Sequence, residues 1–153
     1  MTSLPAKAID FIRKQKLGFV ATVRSDGKPC LSHKGTLTVF DEGHLIFADI
    51  ASPQTVDNLR QNPNVVAEVV DYFSRRGYRI HGTATVVPLE GSHGYISFYE
   101  KWGLKDVQER VKNFVLIEIE SHRAIFSPAY TWGASEPELR DKWQTYYNNL
   151  WKF

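Results

Sequence analysis

The sequence predicts a mainly β domain, an antiparallel barrel with helices added, and three observations carry that prediction. Six or seven segments rich in β-branched and aromatic residues recur along the 153 residues. Most are joined by tight turns with Gly, Asp or Asn where a hairpin needs them. Helical patterns are confined to the two ends and two connections, which favours a barrel with appended helices over an alternating βα fold.

The elements follow in order. Ser3 is placed to cap a first helix with Pro5 in its first turn. Ala8, Phe11 and Ile12 fall on one face of that helix, and Gly18 ends the element. Phe19 to Arg24 alternates as a strand and leads into the hairpin turn Ser25-Asp26-Gly27-Lys28. Pro29 to Phe40 returns as one long strand bent at Gly35. The turn Asp41-Glu42-Gly43 opens the apolar strand Leu45 to Asp49. Ser52-Pro53 then starts a second helix, with Val56 and Leu59 as its apolar contacts and Asn62-Pro63 as its stop. Val65 to Tyr72 and Tyr78 to Pro88 are strands around the turn Ser74-Arg75-Arg76-Gly77. Residues Ser92 to Arg110 are helical with an interruption at Gly103. Asn113 to Glu120 is a strand, and Ala124 to Ser127 a short further one. Ser135-Glu136-Pro137-Glu138 has the form of a capping box and opens a last helix carrying Leu139, Trp143, Tyr147, Leu150 and Trp151.

No repeat, linker or low-complexity tract divides the chain, so a single domain over residues 1–153 is expected, with a C-terminal aromatic helical tail from about residue 128. Lys plus Arg total 19 and Asp plus Glu 17, a net charge of +2 that lacks the basic excess of a nucleic-acid-binding domain. No apolar run reaches the length of a membrane span or a signal peptide. Cys30 is the single cysteine. No intrachain disulfide is therefore possible, and a reducing, cytoplasmic setting is expected.

The stretch from Pro29 to Asn58 holds the candidate chemistry. It joins a strand bearing Ser32, His33 and Lys34 to an apolar strand ending Phe47-Ala48-Asp49. A helix start, Ser52-Pro53-Gln54-Thr55, follows. A helix N-terminus presents unpaired N–H groups and the positive end of the dipole, and so suits a phosphate. Ser52 and Thr55 add hydroxyls, and Lys34 or Arg79 adds positive charge. The plainer reading of Ser52 is a helix cap alone.

The order and spacing of these segments resemble the pyridoxamine 5′-phosphate oxidase-like family of FMN-binding split barrels. Residues 18–23 (GFVATV), Asp26-Gly27-Lys28-Pro29 and Ser32-His33-Lys34-Gly35 carry the resemblance. It continues through residues 45–49 (LIFAD), 55–65 (TVDNLRQNPNV) and 78–84 (YRIHGTA), and covers roughly residues 8 to 125. It implies a six-stranded antiparallel split β-barrel, a homodimer, and two flavin sites at the subunit interface. By the resemblance, Leu31, Ser32, His33 and Lys34 run along the flavin ring and ribityl chain. Phe47, Ala48 and Asp49 lie near the ring or ribityl, and Ser52, Gln54 and Thr55 grip the phosphate. The basic pair of the oxidases proper is replaced by Gln54 and Thr55, and their basic C-terminal substrate motif is not visible. Vitamin B6 oxidation itself is therefore not implied.

An FMN-dependent oxidoreductase acting on a small substrate is the leading expectation. A non-enzymatic flavin or haem binder or sensor on the same barrel is the second. The third is a reductase using the deazaflavin F420, whose acidic tail would need a basic groove from Lys34, Arg75, Arg76 and Arg79. His33 and His81 lie in strands near the proposed site and suit hydrogen bonding or proton transfer, against a plain surface role. No His-Glu-x-x-His or Cys-x-x-Cys spacing occurs, so no metal is expected. Cys30 has no paired base and reads as a small strand hydrophobe. Tyr130 and Trp132 either pack the tail or wall the flavin ring.

Overall fold

A computed structural model describes residues 2–152; Phe153, counted above with the aromatic tail, lies outside the described residues. Its helices are α1 (Ala6–Lys14), α2 (Pro53–Gln61), α3 (His93–Trp102), the single turn α4 (Val107–Arg110) and α5 (Glu136–Leu150). Its strands are β1 (Gly18–Val23), β2 (Pro29–Lys34), β3 (Thr38–Asp41), β4 (His44–Asp49), β5 (Asn64–Asp71), β6 (Arg76–Pro88) and β7 (Asn113–Phe126). A 3₁₀ turn, Pro128–Trp132, precedes α5. No helix among the described residues is long and apolar enough to cross a membrane.

The strands form one seven-stranded sheet in the order β2-β1-β5-β6-β7-β4-β3. Every neighbouring pair is antiparallel. β2 and β3 follow each other in the chain, yet they occupy the two ends of the sheet. Only Gly35, Thr36 and Leu37 join them, a reach of roughly 14 Å at full extension. The sheet must therefore curl until its first and last strands stand side by side, which is a split barrel.

The long strand expected over Pro29 to Phe40 is thus two strands, and the sheet has seven strands rather than six. At the break the Leu37 N–H donates to the Lys34 carbonyl at 3.4 Å, closing a turn. The Thr36 hydroxyl accepts from the Ala48 N–H at 3.0 Å and donates to the Ala48 carbonyl at 3.2 Å. One side chain thereby takes the place of a ladder pair where backbone pairing lapses.

Two further boundaries differ from expectation. Pro5 is the N-cap of α1, and Ser3 stands outside the helix. Ala124 to Phe126 are not a separate strand but the end of β7. The length of β6 supplies partners all along it, across a register shift between His81 and Gly82. Gly82 has no room for a side chain, since a Cβ there would lie 2.3 Å from the Glu118 carbonyl.

The barrel interior holds Val20, Leu45, Phe47, Ala67, Ile80, Val115 and Ile117, with α1 inserting Ala8 and Ile12. A second cluster lies on the opposite face of β4, where α3 covers Ile46, Ala48 and Phe114. Both faces of β4 are consequently buried, which explains its unbroken apolar run. Burial of each large side chain here contributes about 1.5–3 kcal/mol. Tyr99 of α3 stacks on Phe114 with centroids 5.7 Å apart. Its hydroxyl donates to the Thr36 carbonyl at 2.7 Å. The seam between β2 and β3 is thus pinned from the helical side.

Candidate functional site

The Pro29–Asn58 stretch converges on one side chain. Lys34 ends β2 with only 6% of its surface exposed. Its ammonium donates to the Ser32 hydroxyl at 2.5 Å and the Ser52 hydroxyl at 2.8 Å. The Phe47 ring centroid lies 5.6 Å away. Among the described residues no carboxylate stands within ion-pair distance of this ammonium. Asp49 is nearby, but its oxygens are taken by the Ser52 N–H at 3.0 Å and the Asn113 side-chain amide at 2.8 Å. Burial pushes the Lys34 ammonium below its ordinary value, and the charge of Asp49, with Cys30, only partly opposes this.

Ser52 is the N-cap of α2 by position, but its side chain caps no backbone N–H. Pro53 has no N–H, and those of Gln54 and Thr55 have no intrahelical partner at a first turn. A buried cation, two hydroxyls and an uncapped helix start therefore meet in one place. That is the chemistry of an oxyanion site, and of a phosphate above all.

The remaining candidates divide. Ala48 is held by Thr36, and Phe47 is fully buried in the barrel. Thr55 is buried at 3% exposure. The Gln54 amide is drawn back along the helix to Asn58 at 2.7 Å, and Asn58 donates to Thr22 at 2.9 Å. In β2, Ser32 and Lys34 point to one face while Leu31 and His33 point to the other. On that outer face Leu31 is 70% exposed. It shares a groove with Phe19, Ala21, Val66 and Glu68. Because β2 is an edge strand, a ligand along its free edge meets both faces in turn.

Within the chain, Arg79 and Trp132 are not part of this cluster. Arg79 lies on the outer face and pairs with Glu68 at 2.7 Å. His33, Phe19, Glu68, Arg79 and Arg123 form one cross-strand row. His81 is exposed on the same face, in the next row. Trp132 is 83% exposed, beyond the end of β7 opposite to Asn113 and Asp49. The basic groove expected of Lys34, Arg75, Arg76 and Arg79 does not assemble either. Arg75 lies 3.8 Å from the Trp143 ring centroid and Arg76 pairs with Glu136 at 2.7 Å. Sequence reasoning missed Asn113 and Thr36. Nothing local marks Asn113, whose partner Asp49 is 64 residues away.

A sequence model of the family described as pyridoxamine 5′-phosphate oxidase matches residues 4–127. No curated protein matches the chain. Among solved structures, HupZ of Group A Streptococcus is 23% identical with a TM-score of 0.70, covering 81% of this chain and 95% of its own. An FMN-binding protein from Syntrophomonas wolfei is 15% identical with a TM-score of 0.66, covering 79% and 85%. An F420 reductase is 20% identical with a TM-score of 0.62, covering 78% and 98%. At such identities the likeness establishes the shared fold.

Proposed function

The chain belongs to the pyridoxamine 5′-phosphate oxidase family, and from that membership we propose that it is an FMN-binding oxidoreductase acting on a small substrate. The observation that carries the reading is the buried Lys34 ammonium, which has two hydroxyl partners and no ion-pair partner among the described residues. A buried charge left without a counterion is costly, and an oxyanion at the start of α2 removes that cost. An FMN-binding protein and an F420 reductase among the structures that share this fold support the reading.

In this reading Lys34, Ser32, Ser52 and the first-turn N–H groups of α2 hold the phosphate. Leu31 offers apolar surface along β2 for the ring system. FMN, when bound, supplies the hydride and electron chemistry. We further propose that a second copy covers the outer groove of Leu31, Phe19, Ala21 and Val66 and completes the site. The apolar exposure of that groove supports this.

Colour is the direct test. Purified protein should show flavin bands at about 375 and 450 nm, near one flavin per chain. Protein that is colourless and takes up no added FMN would overturn the reading, and a Soret band would replace it with a haem protein. Light scattering should give a dimer; a stable monomer would remove the shared-site proposal.

A further inference from the structure

A second pocket, of about 390 Å³, opens between the C-terminal ends of α1 and α3 and is floored by β3. It shares no residue with the Lys34 cluster.

Three features set it apart. First, two buried side-chain polar atoms that lack a hydrogen-bond partner among the described residues, Thr38 Oγ1 and Trp102 Nε1, belong to residues lining this pocket. Thr38 is only 1% exposed. Buried polar atoms are nearly always satisfied, by protein, water or ligand. Second, its ionisable lining is wholly cationic, from Arg13, Lys16 and Lys101. Among the described residues none of these three has an ion-pair partner. Third, the ammonium of Lys16 lies 4.3 Å from the Trp102 ring centroid, a contact that fixes both side chains at the rim.

Basic residues favour helix C-terminal turns for the sake of the dipole. That accounts for Arg13 and Lys101. It accounts neither for Lys16 nor for the two orphaned donors. A space of roughly a dozen water volumes is also too large for a bare ion. Phe98 and Trp102 give it apolar walls.

We propose that this pocket binds a small organic anion. Its oxyanion head, phosphate or carboxylate, is held by Lys16 and Lys101, and its entry turns the buried Thr38 hydroxyl and Trp102 indole N–H toward it. Its apolar body lies against Phe98. The site is separate from the flavin site and is filled whether or not flavin is bound.

The test is an NMR titration of ¹⁵N-labelled protein, as purified, following the Trp102 indole resonance assigned with Trp102→Phe. Phenyl phosphate, benzoate, inorganic phosphate and phenol are compared, with sodium chloride holding ionic strength constant. Phenyl phosphate or benzoate should shift the resonance saturably, and whichever binds tighter names the head group. Inorganic phosphate should bind more weakly, and phenol should have no effect. The doubly substituted Lys16→Ala/Lys101→Ala protein should bind about tenfold more weakly or worse. Thr38→Val, which keeps the shape, should also weaken binding. Flavin absorption should not change during the titration. No saturable shift with either organic anion overturns the proposal. So does an equal response to phenol, or an affinity untouched in the double variant.

Discussion

The Lys34 ammonium lies 2.8 Å from the Ser52 hydroxyl, across 18 residues of chain, and ties the end of β2 to the start of α2. A buried cation partnered only by hydroxyls is a poor stabilising device. It is an efficient anion trap. Lys34→Met should therefore separate stability from function. FMN affinity should fall at least about tenfold, as expected for loss of a charge-assisted contact, while riboflavin affinity changes far less. The cofactor-free protein should melt no lower than wild type. Fluorescence titration with both ligands and a thermal melt check this. An equal loss for FMN and riboflavin would take Lys34 away from the phosphate.

The same residue predicts a pH dependence. Burial lowers the folded-state pKa of Lys34 from its ordinary 10.5. Between the folded and unfolded values the unfolded chain binds the extra proton. Unfolding free energy of the cofactor-free protein therefore rises with pH through that window. The destabilisation is complete below the folded pKa and disappears above 10.5. Urea unfolding at a series of alkaline pH values should show this rise in wild type relative to Lys34→Met. FMN affinity should move the opposite way, weakening as Lys34 loses its proton.

Ser52 and Thr55 were both expected at the phosphate, and their surroundings now differ. Ser52 touches the Lys34 ammonium, whereas Thr55 is buried at 3% exposure. Ser52→Ala should weaken FMN several-fold more than riboflavin, by about 1 kcal/mol for one hydrogen bond. Thr55→Ala should act chiefly on stability. Parallel titrations and melts of the two variants separate these roles, and identical behaviour would contradict them.

Local patterning made most of the fold legible. Strand alternation and hairpin turns placed β1 and β4 to β7, and the Ser135–Glu138 capping box forms as read. A bend at Gly35 was legible, but its being a full break between two strands was not, because strand-forming residues stand on both sides of it. What separates β2 from β3 is the curl of the whole sheet and the bond from Tyr99 to Thr36, 63 residues away. The site was legible to the same depth. Ser32, Lys34, Asp49 and Ser52 lie close in sequence and converge. Arg79 was offered for its charge on a neighbouring strand and Trp132 for its aromatic surface, but strand geometry puts Arg79 on the outer face with Glu68 and leaves Trp132 exposed beyond β7. The orphaned Thr38 and Trp102 atoms had no sequence signal, since an unmet hydrogen bond is a property of packing.

Tyr99 offers a test of the seam. Its hydroxyl is the partner of the Thr36 carbonyl, and burial raises its pKa well above that of a free phenol, despite that hydrogen bond. Tyr99→Phe keeps the stack on Phe114 and leaves the carbonyl unsatisfied, at a cost of about 1–3 kcal/mol. Tyr99→Ala adds a cavity and should cost about 3–5 kcal/mol. Chemical denaturation measures both, and a Tyr99→Phe protein as stable as wild type would show that water replaces the phenol.

Arg140 docks α5 on the β5–β6 hairpin through Asp71, at 2.7 Å. Burial alone would push the Asp71 carboxyl up. The Phe73 N–H, the Ser74 hydroxyl and Arg140 outweigh that and hold it below its ordinary 3.8. A carboxylate with a depressed folded pKa adds stability that is fully present above the unfolded value. That stability is lost as pH falls through the folded one. The docking of α5 should accordingly hold at neutral pH and loosen below about pH 4. Trp143 reports the change, because the Arg75 guanidinium stacks on its ring. Asp71→Asn should flatten the acid limb of that fluorescence signal, with Trp143→Phe as the control that identifies it. Arg140 is partly exposed, so Arg140→Ala should cost only about 1 kcal/mol. An acid limb that persists unchanged in Asp71→Asn would place the switch on another carboxylate, with Glu136, the second partner of Arg140 at 3.2 Å, as the next to replace.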